Sequence, residues 1–260
     1  PGVDKVAFTG STAAGRKIAA VCGEQLKRVS LELGGKSAAI VLDDADLAAT
    51  MEGLKFASLM NSGQACVAQT RILASRAKYA EVVDALAETV SAMAVGDPLD
   101  PATEIGPMVA QRQQERVEKY IALGQEEGAR VVVGGNGMPD GLTSGWYVRP
   151  TVFADVDNRM RIAQEEIFGP VLSVIPFDDV DDAVRIANDS EYGLAGTVWT
   201  GDVEAGLDVA RRVRTGTYGV NTYTMDFAAP FGGFKSSGIG REFGPEGLAH
   251  YTELKSIYKP

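Results

Sequence analysis

Apolar positions along the chain switch repeatedly between strand-like alternation and helical spacing. Val6-Ala7-Phe8-Thr9 is a short apolar run closed by Gly10-Ser11-Thr12, and the pattern predicts a helix over about 13–21, with Ile18 and Val21 on one face. Strands are predicted over 28–33, where Val29, Leu31 and Leu33 alternate, and over 37–42. Asp44 or Asp46 then caps a helix running towards Met60. A strand over 71–74 precedes Tyr79, Val82, Val83, Leu86, Val90 and Met93, whose spacing predicts an amphipathic helix ended by Gly96-Asp97-Pro98. Further helices are predicted over 109–127, 183–188 and 205–213, and further strands over 129–133, 146–153, 171–177, 194–200 and 217–221. Turn residues fill 134–145, and glycines crowd 231–244. Alternation returns over 254–258, predicting a terminal strand at a sheet edge or between subunits.

Strands alternating with helices predict an α/β fold around a largely parallel, doubly wound sheet. With 260 residues, 45% of them hydrophobic and 23% charged, the chain can bury a core without covalent staples. A net charge of −10 argues against nucleic-acid binding, which depends on neutralising phosphates. The apolar runs are too short to span a bilayer, so no membrane partner is expected. Two cysteines, Cys22 and Cys66, cannot form a disulfide framework and fit a reducing, cytoplasmic setting. The chain begins Pro1-Gly2-Val3 without a methionine and reads as a piece of a longer protein.

Cys66 follows Asn61-Ser62-Gly63-Gln64-Ala65, a small-residue turn that a substrate could reach. A free thiol is only a few per cent thiolate near neutrality, so a nucleophilic role needs an activating environment; otherwise Cys66 is a small buried apolar residue. Cys22 fits that second reading. Glu32 ends a strand just before Gly34-Gly35, at the carboxyl edge where catalytic groups emerge in α/β sheets, and could act as a general base; the alternative is a surface glutamate on an edge strand. Gly10-Ser11-Thr12 at a helix start could receive a phosphate, although it is not the dinucleotide fingerprint, and Gly34-Gly35-Lys36-Ser37 is not a P-loop. In Glu165-Glu166-Ile167-Phe168-Gly169-Pro170 a carboxylate could accept ribose hydroxyls, or Phe168 could simply plug the core. The acids of 178–182 complement a helix dipole rather than hold a metal. His250 is the only histidine, and no serine-nucleophile elbow accompanies it.

The order Phe8-Thr9-Gly10-Ser11-Thr12, Leu31-Glu32-Leu33-Gly34-Gly35-Lys36-Ser37, Gly63-Gln64-Ala65-Cys66, Glu165-Glu166-Ile167-Phe168-Gly169-Pro170-Val171 and Pro230-Phe231-Gly232-Gly233-Phe234-Lys235-Ser236-Ser237-Gly238 resembles the NAD(P)-dependent aldehyde dehydrogenase superfamily, roughly its C-terminal half. The resemblance implies a three-layer αβα catalytic domain over 35–235. It also implies the tail of a Rossmann-like cofactor domain over 1–34, and a C-terminal loop and oligomerisation strand over 236–260. It implies Cys66 as the nucleophile, forming a thiohemiacetal and then a thioester, with its own N–H as an oxyanion donor. Glu32 would activate the hydrolytic water; this acid is generally missing from the branch that acylates coenzyme A. For NAD or NADP it implies Glu166 and Phe168 at the nicotinamide ribose and ring, Gly10 and Ser11 by the pyrophosphate, and Thr9 and Leu33 near the nicotinamide. Phe231 would line the entrance for a small aldehyde substrate, and the protein would form a homodimer or homotetramer.

In that family the asparagine of the oxyanion hole, the residues that sort the adenine ribose and most of the cofactor sheet precede the region matched here. This chain is therefore expected not to bind NAD properly by itself. Two other readings compete: a folding and oligomerisation module without activity, and a cofactor-independent cysteine esterase. Ala65 and Val67 beside the nucleophile favour an uncharged or aliphatic aldehyde.

Overall fold

The computed structural model describes residues 2–260; Pro1, the first residue of the expected 1–34 segment, lies outside the described residues. In chain order the elements are β1 (Lys5–Thr9), α1 (Thr12–Glu24), β2 (Arg28–Glu32), β3 (Ala38–Val41), α2 (Leu47–Leu59), a 3₁₀ turn (Met60–Gly63), β4 (Arg71–Ser75), α3 (Tyr79–Ala92), α4 (Gln111–Glu126), β5 (Arg130–Val133), β6 (Thr151–Ala154), α5 (Arg161–Gln164), β7 (Val171–Phe177), α6 (Val180–Asn188), β8 (Tyr192–Gly193), β9 (Gly196–Trp199), α7 (Val203–Arg212), β10 (Gly219–Val220), β11 (Phe234–Lys235), β12 (Gly238–Ile239) and α8 (Gly244–Ala249).

Seven strands form the main sheet in the order β10-β9-β3-β4-β7-β6-β5, parallel throughout except for the β5–β6 edge pair. Alternate residues of each strand feed two cores. Ala38 and Ile40 of β3 pack with Val117 and Ile121 of α4, Ile186 of α6 and Val209 of α7 on one face. Ala39 and Val41 pack with Leu54 of α2 and Val82, Leu86 and Val90 of α3 on the other. This is the three-layer αβα arrangement that the family resemblance implied, around the largely parallel sheet expected from the pattern. Each such buried valine, leucine or isoleucine side chain contributes about 1.5–3 kcal/mol. Helix starts follow local chemistry: Asp46, Asp179 and Asp202 each accept a first-turn N–H, and Ser11 accepts from Ala14 N.

Several predicted elements are shorter or differently placed. The strand over 146–153 is limited to Thr151–Ala154, since Pro150 has no N–H to give a ladder. The run over 194–200 shortens to β9, with the unpredicted two-residue β8 just before it, and that over 217–221 shrinks to Gly219–Val220. Residues 254–258 pair with no sheet among the described residues, so the sheet-edge alternative is not realised within the chain; Leu254, Ile257 and Tyr258 are exposed. The glycine-dense stretch hides two strands, β11 and β12, missed because two residues each carry no periodicity.

A smaller sheet, β1-β2-β12, stands beside the main one. β2 runs parallel to β1 and antiparallel to β12, with Glu32 opposite Thr9 and Gly238. Glu32 therefore lies on the central strand and is 3% exposed, which overturns the edge-strand alternative. From β2 the chain passes through Gly34-Gly35 directly into β3, joining the two sheets.

Candidate active site

Cys66 sits just beyond the end of α2, where the chain reverses through three successive left-handed residues, Asn61 (φ 51°), Ser62 (φ 58°) and Gly63 (φ 71°). Non-glycine residues hold this conformation only when neighbours fix them. Here Ser62 Oγ donates to Gly106 O at 3.1 Å and accepts Gly106 N–H at 3.0 Å, while Gln64 Oε1 accepts Val109 N–H at 2.9 Å. The turn leaves Cys66 half-buried among Met60, Ala65, Tyr223 and Phe243, against the buried Val67, Leu194 and Phe231. Burial pushes the thiol up to about 11, reinforced by the Glu166 and Glu32 carboxylates and opposed by the N–H groups of Cys66 and Val67. The resting sulfur is therefore a thiol, so a nucleophilic role would need a base to take its proton.

Glu32 can be that base. Burial raises it to about 8, Glu242 pushes it further up and Arg241 pulls it down. Its Oε2 is buried without a hydrogen-bond partner, an acceptor held in reserve. The double-glycine turn brings Glu32 and Cys66 together: a Cβ on Gly35 would stand 2.1 Å from Cys66 O. Nothing larger than glycine permits this crossing of strand and nucleophile turn.

The same turn holds Glu166. Gly35 N–H donates to Glu166 Oε1 at 2.9 Å, and a Cβ on Gly34 would lie 2.7 Å from Oε2. Burial raises the Glu166 carboxyl, while the Gly35 N–H, Lys36 and Arg116 lower it. The loop is tethered by α4: Gln113 Nε2 donates to Phe168 O at 2.7 Å and to Ile167 O at 3.1 Å, and Arg116 donates to the Glu166 carbonyl. Phe168 is half-buried with φ 63°. Its side chain is thus not the core plug considered from the sequence. Thr9, Gly10 and Ser11 are exposed at the start of α1, and Leu33 is 5% exposed with its N–H donated to Ser237 O at 2.9 Å. Phe231 is 8% exposed and shares the apolar cluster with Cys66.

Four residues around this centre were not singled out from the sequence: Gln113, Arg116, Lys36 and Arg71. The last two left a signal, a charge at the head of each apolar run that forms β3 and β4. Arg71 is fully enclosed and donates to Lys36 O (3.0 Å), Asn158 Oδ1 (3.0 Å), Ile186 O (2.9 Å) and Ala187 O (2.9 Å). By contrast, the acids of 178–182 are taken up by the cap of α6 and by Arg76, Arg185 and Arg212. His250 accepts the Arg241 N–H through Nε2 at 3.2 Å.

The chain resembles known proteins in both sequence and fold. It is 60% identical over 261 residues to a geranial dehydrogenase of Castellaniella defragrans, covering 99% of this chain and 53% of the relative. It is 48% identical to a betaine aldehyde dehydrogenase of Rhizobium etli, again over 99% of this chain and 53% of the relative. A Mycobacterium tuberculosis aldehyde dehydrogenase complexed with NAD+ superposes with a TM-score of 0.97 at 57% identity, over 99% of this chain and 53% of that one. A mutant of aldehyde dehydrogenase C from Pseudomonas syringae, complexed with NAD+ and octanal, gives 0.95 at 45% identity, over 98% and 52% of the two chains. The chain thus spans about half the length of the relatives it matches. The model of the aldehyde dehydrogenase family matches residues 1–257, and the chain belongs to that family.

Proposed function

We propose that the protein carrying this chain oxidises an aldehyde to a carboxylic acid with NAD or NADP, using Cys66 as nucleophile and Glu32 as general base. The observation that carries the reading is the Gly34-Gly35 turn, which packs Cys66, Glu32 and Glu166 into one cluster. Glu32 takes the thiol proton as sulfur bonds to the carbonyl carbon, and the Cys66 N–H faces the developing oxyanion of the thiohemiacetal. The nicotinamide, when bound, supplies a hydride acceptor, which leaves an acyl thioester on Cys66. Glu32 passes the thiol's proton to solvent and then draws a proton from water as its oxygen attacks the acyl carbon; the C–S bond breaks, Glu32 returns that proton to the departing Cys66 thiolate and the acid leaves.

The residues present fit such a cofactor. Glu166 keeps Oε1 on Gly35 N–H and has no donor on Oε2 among the described residues, which suits a ribose hydroxyl. Gly10 and Ser11 lie at the N-terminus of the 13-residue α1, which suits pyrophosphate, with Thr9 and Leu33 towards the nicotinamide and Phe168 beside it.

An apolar aldehyde suits the wall of Val67, Leu194, Phe231 and Tyr223 around the thiol, a reading that the related geranial dehydrogenase and the related aldehyde dehydrogenase C complexed with octanal support. The exposed alternation of Leu254, Ile257 and Tyr258 supports pairing with another subunit in a dimer or tetramer. Both cysteines are free, which suits the cytoplasm, and no helix among the described residues is long and apolar enough to cross a membrane.

The test is paired product measurement. Aldehyde with NAD+ or NADP+ should yield reduced nucleotide and carboxylic acid in equal amounts, and both should vanish in Cys66→Ala. Release of acid from an activated ester with no reduced nucleotide formed from any aldehyde would replace this reading with the esterase.

A further inference from the structure

Lys36 follows the double-glycine turn and begins the passage into β3, yet it is 2% exposed and its Nζ has no hydrogen-bond partner. An isolated buried ammonium is costly unless a negative field offsets it. No ion pair closes on Lys36 among the described residues, so any compensation comes through space. The charged groups that act on it through space are Arg71 from β4, Glu165 and Glu166 from the loop after α5, and Arg116 from α4. Arg71 is committed to four acceptors, one of them the Lys36 carbonyl, and Glu165 is paired with Arg161 at 2.7 Å. Arg116 is spent on the Glu166 and Ile167 carbonyls. The one acid left without a charged partner is Glu166, seated on the N–H of Gly35, the residue next to Lys36 in the chain.

We propose that Lys36 is a positioning residue for Glu166: its enclosed amine supplies the positive field that keeps the Glu166 carboxylate ionised and seated on the Gly35 N–H, leaving Oε2 as an acceptor for a ligand hydroxyl. The inference rests on the reading of Glu166 as the ribose-holding group. Burial and the neighbouring Arg71 bring Lys36 down to about 7, with Glu166 pulling it back up, and Lys36 in turn lowers Glu166. Removing the amine leaves Glu166 with the Gly35 N–H and Arg116 against its own burial. Its carboxyl then protonates at higher pH and loses Oε2 as an ionic acceptor.

The experiment has two arms on the protein carrying this chain. In the first, NADH affinity is measured by fluorescence between pH 5.5 and 8.5 for the wild type, Lys36→Met and Glu166→Gln. Lys36→Met should move the acid limb of binding upward, weakening binding about tenfold at the acid end and little at pH 8.5. An unchanged limb, or a loss equal at every pH, overturns the proposal. In the second arm, which does not need the lysine variant to fold, the Lys36 amine is titrated by ¹⁵N NMR in the wild type and in Glu166→Gln. Reciprocal coupling requires the Lys36 titration to fall when Glu166 loses its charge, and an unmoved titration overturns the proposal. If Glu166→Gln leaves NADH affinity intact while the Lys36 titration moves, the ribose reading fails and the Lys36–Glu166 coupling stands.

Discussion

Replacing Glu32 by glutamine should cost activity and gain stability, with a pH dependence that identifies the cause. Burial lifts this carboxyl from 4.5 to about 8 in the folded protein. Because the folded value is the higher one, the native state holds more protons than the unfolded chain between those values, and wild-type stability falls as pH rises through that window. Each unit corresponds to about 1.4 kcal/mol, so the ionised glutamate costs on the order of 4 to 5 kcal/mol once the pH exceeds about 8. Glutamine has nearly the same shape and no charge, and its amide adds an offset that does not vary with pH. Thermal or urea unfolding of both proteins from pH 4 to pH 9 should therefore give a difference that is flat near pH 4, grows in favour of Glu32→Gln to about pH 8, and then levels. Turnover should drop by about 10²–10⁴-fold, the usual contribution of a positioned base. A stability difference constant across the whole range would refute the claim that Glu32 is a desolvated carboxyl held near neutrality.

Three further outcomes follow from the same geometry. Alkylation of Cys66 by iodoacetamide, read by mass spectrometry, should accelerate about tenfold per pH unit up to pH 10, since burial holds the thiol near 11; a plateau by pH 8 would contradict that environment. Gly35→Ala should abolish activity and destabilise by about 1–3 kcal/mol in urea titrations, because its Cβ has only 2.1 Å to Cys66 O; wild-type turnover would show that the turn does not set the site. Asp46→Ala should cost about 1 kcal/mol through loss of the α2 cap, with kcat unchanged.

The α/β class and the layered sheet were legible because β3, β4 and β7 are long apolar runs and α3 carries strict helical spacing. Cys66, Glu32 and Glu166 were legible as motif residues, but not as neighbours, since strand order and the glycine crossing are tertiary facts. Short pairings were invisible for the opposite reason: β8, β11 and β12 hold two residues each, too few for any period. Arg71 and Lys36 escaped notice because a charge beside an apolar strand usually points to solvent. Here four carbonyl and amide acceptors draw Arg71 inward, and the chain path carries Lys36 in with it.

Glu32 lies on a strand whose two neighbours come from opposite ends of the sequence, β1 before it and β12 some two hundred residues later. On a ribosome this has a temporal meaning. Until residues 238–239 follow, about two hundred residues after β2, the β2 edge that β12 covers has no partner, so Glu32 gains its enclosed setting only once β12 has been made.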